Sequence, residues 1–195
     1  PSNTPPYLNG FQTIFQPATP SMAGRASGGL SISINLNFKF RVISVSSGCS
    51  FYQMCLLHLR HGLHMICINF YNNIPVFDFN SVFHNLDKDL ESFLIKTDLD
   101  PLIMWCGDLN IRPCLAKSSI ACGISDEDNG NLSHFVHTSL GSLLNTLVVK
   151  YRLHFANDIC TPPISWGVTY QARGSFSTID HILLSFHFCS FKFSF

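Results

Sequence analysis

The sequence predicts a mixed α/β domain, and three observations carry that reading. Leu30, Ile32, Ile34 and Leu36 alternate with Ser31, Ser33, Asn35 and Asn37, a period-two pattern that marks a half-buried strand. Phe79, Val82, Phe83, Leu86, Leu90, Phe93 and Leu94 recur at three and four residues with Asp and Lys between them, which marks an amphipathic helix. The run Leu102-Ile103-Met104-Trp105-Cys106 sits between Pro101 and Gly107 and is too short for a helix, so it reads as a buried strand.

Taken in order, residues 1–27 are rich in Pro, Ser, Thr, Asn and Gly and read as a loop-rich segment with one short apolar piece, Tyr7 to Phe15. The domain proper spans 28–185. After the strand at 30–37, the stretch Phe38 to Val45 is expected to pair with it. Phe51 to Leu59 and His64 to Tyr71 are two more strands, turned at Arg60-His61-Gly62. Four strands in succession imply an antiparallel sheet on the N-terminal side. Asp78 or Asn80 caps the helix. Residues 111–131 form a long polar loop whose Asp126, Glu127 and Asp128 read as solvated. Leu132 to Leu140 is a second helix, whereas Leu143 to Val149 mixes helix and strand signals. Trp166 to Tyr170 and Ile179 to Ser185 are the last strands. Residues 186–195 alternate Phe with small or polar residues and read either as one more strand or as a Phe-rich tail that is not a native continuation of the domain.

A chain of 195 residues with 46% hydrophobic content can bury a substantial core. Twelve Lys and Arg balance twelve Asp and Glu, so the sequence lacks the basic footprint of a strong nucleic-acid binder. None of the eight Cys forms a Cys-x-x-Cys, which argues against a zinc ribbon. Cys55, Cys67 and Cys106 lie in apolar runs as small hydrophobes, and a reduced, intracellular protein is expected. The sequence shows no signal peptide and no apolar stretch of membrane-spanning length.

Candidate chemistry sits at strand ends. Asp108 and Asn110 follow the buried strand; two residues apart, they face one side of an extended backbone. There a carboxylate serves as base or oxygen ligand for a divalent metal, and a carboxamide donates hydrogen bonds. The plain alternative is an Asx turn after a strand. Tyr71 ends an earlier strand and would donate to a phosphate, or else be a core aromatic with a bonded tip. Asp180 begins a late strand, and a carboxylate there can orient an imidazole. His181 points away from it and packs. Arg25, before Ala26-Ser27-Gly28-Gly29, can touch a phosphate or simply be solvated.

In order, Gly24-Arg25-Ala26-Ser27-Gly28-Gly29-Leu30, Asn69-Phe70-Tyr71, Cys106-Gly107-Asp108-Leu109-Asn110 and Gly174-Ser175-Phe176-Ser177-Thr178-Ile179-Asp180-His181-Ile182-Leu183 resemble the endonuclease/exonuclease/phosphatase superfamily. The likeness is closest to the AP-endonuclease-like endonuclease domain of non-LTR retrotransposons and spans residues 7 to 185. It implies an α/β, four-layer α/β/β/α sandwich of the DNase-I-like kind, incomplete here. It also implies a hydrolase that cuts phosphodiester bonds in DNA with Mg2+. By that resemblance Asp108 activates water or protonates the leaving group and contributes to the metal site. Asn110 holds the scissile phosphate, Tyr71 lies near it, and Asp180 orients a catalytic His. Thr169 matches a Thr of the DNA-facing wall. A reverse-transcriptase domain would follow in the parent protein, and a nuclear location is implied.

The departures carry their own expectations. The family's early Asn strand and its metal-binding Gln-Glu motif belong before the equivalent of Tyr7, and its closing Ser-Asp-His has no counterpart after Ser185. The expected protein is therefore a fragment, truncated at both ends and inactive as it stands. In the family a Pro follows the Tyr closely, whereas Asn72-Asn73 intervene here before Pro75. Two other readings keep their place: a non-catalytic remnant or interaction fragment, and a phosphatase or phosphodiesterase of the same fold acting on a lipid or inositol phosphate.

Overall fold

The computed structural model describes residues 7–18, 29–72, 74, 78–97, 100–109, 139–155, 170–172, 175–177 and 180–185. The chain divides into two units, residues 1–107 and 108–195. In the first, β1 (Phe11–Gln16) pairs antiparallel with β2 (Leu30–Asn35) as a two-stranded sheet. β3 (Phe40–Cys49), β4 (Tyr52–Leu59) and β5 (His64–Tyr71) follow as an antiparallel meander. Helix α1 (Phe79–Ile95) then leads to β6 (Leu102–Asp108), and the strand order in this part of the sheet is β3-β4-β5-β6.

β1 falls inside the segment that composition assigned to loop. Its six residues pair in full register with β2, from Phe11 opposite Asn35 to Gln16 opposite Leu30. The expectation that Phe38 to Val45 pairs with the preceding strand is not met: β3 pairs with β4. The reason is packing. Ile32 and Ile34 of β2 pack against the cluster of Cys55, Leu57 and Cys67 on β4 and β5, the same cluster that Phe40 and Val42 of β3 flank. Apolar faces from both sheets are buried that way, whereas edge-to-edge pairing would leave them bare. β2 also ends earlier than the alternation does. Asn35 Oδ1 accepts the Asn37 N–H at 2.9 Å and Asn35 O accepts the Phe38 N–H at 3.0 Å, so Leu36 falls in a turn and is exposed.

β4 is buried over Tyr52 to Leu57 without a break, because both of its faces are covered. Cys55 and Leu57, opposite Cys67 and Met65, meet the β1–β2 hairpin. Tyr52, opposite Phe70, meets α1. Its hydroxyl donates to Asp89 at 2.9 Å, Ser46 Oγ donates to the same carboxylate, and the Phe70 ring packs against Phe83 and Trp105 at 5.7 and 5.6 Å. α1 buries Val82, Phe83, Leu86, Leu90 and Phe93, the stripe its spacing predicts. Asp78 is the N-cap, with no side-chain capping bond of its own. The first unit is therefore layered helix, sheet, sheet. β4 turns into β5 through Arg60–Gly62, with His61 and Gly62 at φ of 63° and 76°.

In the second unit, α2 (Ser139–Lys150) covers the stretch whose signals were mixed. It stops through Tyr151 and Arg152, the latter at φ 50°, a left-handed exit. β7 (Leu153–Phe155) pairs antiparallel with β10 (Asp180–Ser185), and β8 (Tyr170–Ala172) with β9 (Ser175–Ser177). Leu144, Leu147, Leu153, Phe155 and Leu183 are buried. The expected loop at 111–131, nearly all of the helix at 132–140, the strand residues 166–169 and the tail 186–195 lie outside the described residues. No described helix is long and apolar enough to cross a membrane.

Candidate functional site

β5 and β6 are neighbours, and the contact between them is set by one glycine. Gly107 adopts φ 145°, and a Cβ there would overlap the Phe70 carbonyl oxygen and stand 2.8 and 2.9 Å from the Phe70 C and N. Only a residue without a side chain allows so close a backbone approach. Sequence reading treats this glycine as the end of the strand; the structure carries β6 one residue past it, to Asp108. A glycine within a strand pattern is itself the signal of such an approach. The consequence is that Gly107 of β6 lies against Phe70 near the C-terminal end of β5.

The flanking residues fix each end. Phe70 is 1% exposed and Tyr71 37%, so the strand's alternation turns Phe70 into the core and leaves Tyr71 outside it. The reading of Tyr71 as a core aromatic does not hold. Its backbone N–H donates to Phe51 O at 2.8 Å. The chain leaves it through Asn72, whose Oδ1 accepts the Ile74 N–H at 3.5 Å, a long bond, while Ile74 is buried. On β6, Trp105 is fully buried, Asp108 is half-buried and Leu109 is fully buried. Leu109 thus anchors the chain just past Asp108. Cys106 is pushed up to about 11, by burial first and then by the field of Cys67. It stays a neutral thiol at physiological pH and adds no charge beside Asp108.

Of the other sequence candidates, Asp180 opens β10, and its side chain lies outside the described residues. Asn110, Arg25 and Thr169 also lie outside them. Sequence reading counted Asn69 in the Asn69-Phe70-Tyr71 stretch but gave it no role of its own. It lies on the face of β5 that meets the β1–β2 hairpin, and its Nδ2 donates to Ser31 O at 3.0 Å, tying β5 to β2 two residues before Tyr71.

The implied magnesium finds no complete set of ligands in what is described. Among the described residues, no three His, Cys, Asp or Glu side chains group as a metal site. Among the described residues here, Asp108 by itself does not make a site for the ion.

No model of a known protein family matches the chain, and no curated protein matches it. Solved structures do. The chain is similar to the human Nocturnin catalytic domain with bound sulfate anion, at TM-score 0.55 and 14% identity, over 91% of this chain and 62% of that one. It is similar to an AP endonuclease from Archaeoglobus fulgidus, at TM-score 0.53 and 17% identity, over 92% and 68%. An endonuclease/exonuclease/phosphatase family protein from Bacteroides thetaiotaomicron gives TM-score 0.50 and 12% identity, over 91% and 60%. The chain thus spans about three fifths to two thirds of the length of these solved chains. At such identities the likeness is one of fold: this chain has the α/β, DNase-I-like fold of endonuclease/exonuclease/phosphatase proteins.

Proposed function

We propose that the chain is part of a phosphodiester-cleaving DNA endonuclease of the retrotransposon type, built for magnesium-dependent chemistry at the ends of β5 and β6. The observation that carries this is the Gly107–Phe70 approach. It brings Gly107 against Phe70, each one residue before a position where the sequence resembles a nuclease motif, Asp108 and Tyr71, and so supports the reading. In this reading Asp108 holds or moves the proton of the attacking water or leaving group, and Asn110 donates its amide to a phosphate oxygen. The Tyr71 hydroxyl donates to the same developing charge. Asp180 orients an imidazole that these 195 residues do not supply as a Ser-Asp-His motif. Arg25 and Thr169 touch the DNA backbone. A nuclear location and a reverse-transcriptase domain in the same parent protein belong to this proposal.

General acid–base groups contribute roughly 10²–10⁴-fold, so the polypeptide of these residues alone is expected to be inactive or nearly so. The test incubates purified chain with supercoiled plasmid and Mg2+. The expected result is no nicking above that of Asp108→Ala. Clear nicking that Asp108→Ala abolishes would overturn the inactivity while supporting the reaction class. Binding separates the substrates: a short DNA duplex is expected to bind weakly, with a shallow salt dependence set by the zero net charge. Preference for an inositol phosphate over DNA would point to a phosphatase, and binding of neither to a non-catalytic remnant.

A further inference from the structure

At the other end of β5 the sequence His58-Leu59-Arg60-His61-Gly62-Leu63-His64 folds into the tip of the β4–β5 hairpin. The register places His58 directly opposite His64. Directly opposed residues of an antiparallel pair share one face of the sheet. Their rings stand 5.2 Å apart, centre to centre, at 66°. Both residues are half-buried, and His64 Nδ1 is buried with no hydrogen-bond partner.

We infer that His58 and His64 form a two-imidazole site for a borderline divalent transition-metal ion, with water completing its shell. The separation is the central argument. Two imidazoles bound through nitrogen to one tetrahedral ion, at about 2.0–2.1 Å per bond, have ring centres roughly 5 Å apart. The pair already stands at that spacing, held by the strand ladder on both sides of the turn, so little ordering remains to be done on binding. Ligation gives the unpartnered ring nitrogen of His64, or its neighbour in the same ring, a use the protein itself does not. Imidazole suits zinc and copper. Because no described group of three supplies a third ligand, the site holds its ion by chelation alone. Arg41 is the cross-strand neighbour of His58 on β3 and is exposed; its positive charge opposes the ion.

The consequence is a metal that pins the hairpin tip, at the end of β5 away from Tyr71. The experiment titrates the purified chain with Cu2+ and reads electron paramagnetic resonance, then with Zn2+ and reads the thermal midpoint. One tight Cu2+ with two nitrogen ligands is expected, and a Zn2+-dependent rise in the midpoint. His58→Ala and His64→Ala should each weaken binding by roughly 10²-fold, the loss of an intramolecular second ligand. His61→Ala should leave it unchanged, and Arg41→Ala should tighten it by roughly 2–5-fold. A measurement on the unaltered chain guards against variants that misfold: Cu2+ should broaden the resonances of His58 and His64 before any other. Broadening centred elsewhere, a one-nitrogen spectrum, or affinity indifferent to both substitutions overturns the inference.

Discussion

The central sheet of the first unit has two faces lined by different side chains. Toward α1 it presents aromatic rings, Tyr52, Phe70 and Trp105, and its buried hydroxyl is bonded: Tyr52 and Ser46 both donate to Asp89. Toward the β1–β2 hairpin it presents non-aromatic side chains, Cys55, Leu57 and Cys67, and amides. There Gln53 is fully buried with neither amide atom hydrogen-bonded, and Gln16 bonds Cys49 O through Nε2 while its Oε1 has no partner. Each face mixes bonded and unbonded polar groups: on the helix side the Tyr52 hydroxyl is bonded while Trp105 Nε1 has no partner, and on the hairpin side Asn69 Nδ2 reaches Ser31 O while the Gln53 amide has no partner. Since an unpaired buried amide costs about 1–3 kcal/mol, removing the bonded Tyr52 hydroxyl and removing the unbonded Gln53 amide should have opposite signs.

Alkaline pH should produce the largest effect, and it acts on both faces. On the hairpin face, the Cys67 thiol is raised by its bond to Cys55 and then by burial, and Cys106 is raised to about 11 by burial first. On the helix face, Tyr52 is raised by burial and then by Asp89. A raised folded value means that the folded state keeps protons the unfolded chain has lost. Stability is therefore full below the ordinary thiol value of 9.0 and falls as pH rises from there through 11. The thermal midpoint should decline steadily over that window. In Cys67→Ala and Tyr52→Phe the decline should flatten, each removing its own face's share; a flat wild-type profile would contradict the burial of these groups.

Gly107→Ala comes next, because it strikes where both faces end. Overlap with the Phe70 backbone and the loss of a conformation that side chains avoid should cost on the order of 3 kcal/mol or more, seen as a lowered denaturant midpoint. The smaller pair tests the contrast itself. Tyr52→Phe should destabilise by about 1–2 kcal/mol, and Gln53→Met should stabilise by about 1 kcal/mol in the same urea titration. The same sign for both would mean that the Gln53 amide has hydrogen-bond partners.

The contrast also explains what the sequence could and could not show. The α1 stripe and the run at 102–106 were legible because each is a local pattern that tertiary packing then uses unchanged. β4 and β5 were legible as apolar runs with a turn between them, although alternation vanishes where both faces are covered. β1 was missed because Pro, Ser and Thr dominate its surroundings. The partner of β2 was missed because stacking between layers leaves no mark in local periodicity. Gly107 was visible but read as a stop, since the meaning of a strand glycine depends on what approaches it. At the candidate site, residue types and order made Asp108 and Tyr71 stand out. The approach of Gly107 to Phe70, one residue before each of them, comes from the fold, which no spacing encodes.

The central claim is that the ends of β5 and β6 receive a phosphate group. Its most direct test is a nuclear magnetic resonance titration of the chain with thymidine 3′,5′-bisphosphate in the presence of Mg2+. The account predicts that the amides of Tyr71, Gly107 and Asp108 shift together along one saturating curve, and that Asp108→Ala removes the response while leaving the α1 resonances in place. Shifts confined to other strands, or saturation at Asp108 with Tyr71 unmoved, would contradict it.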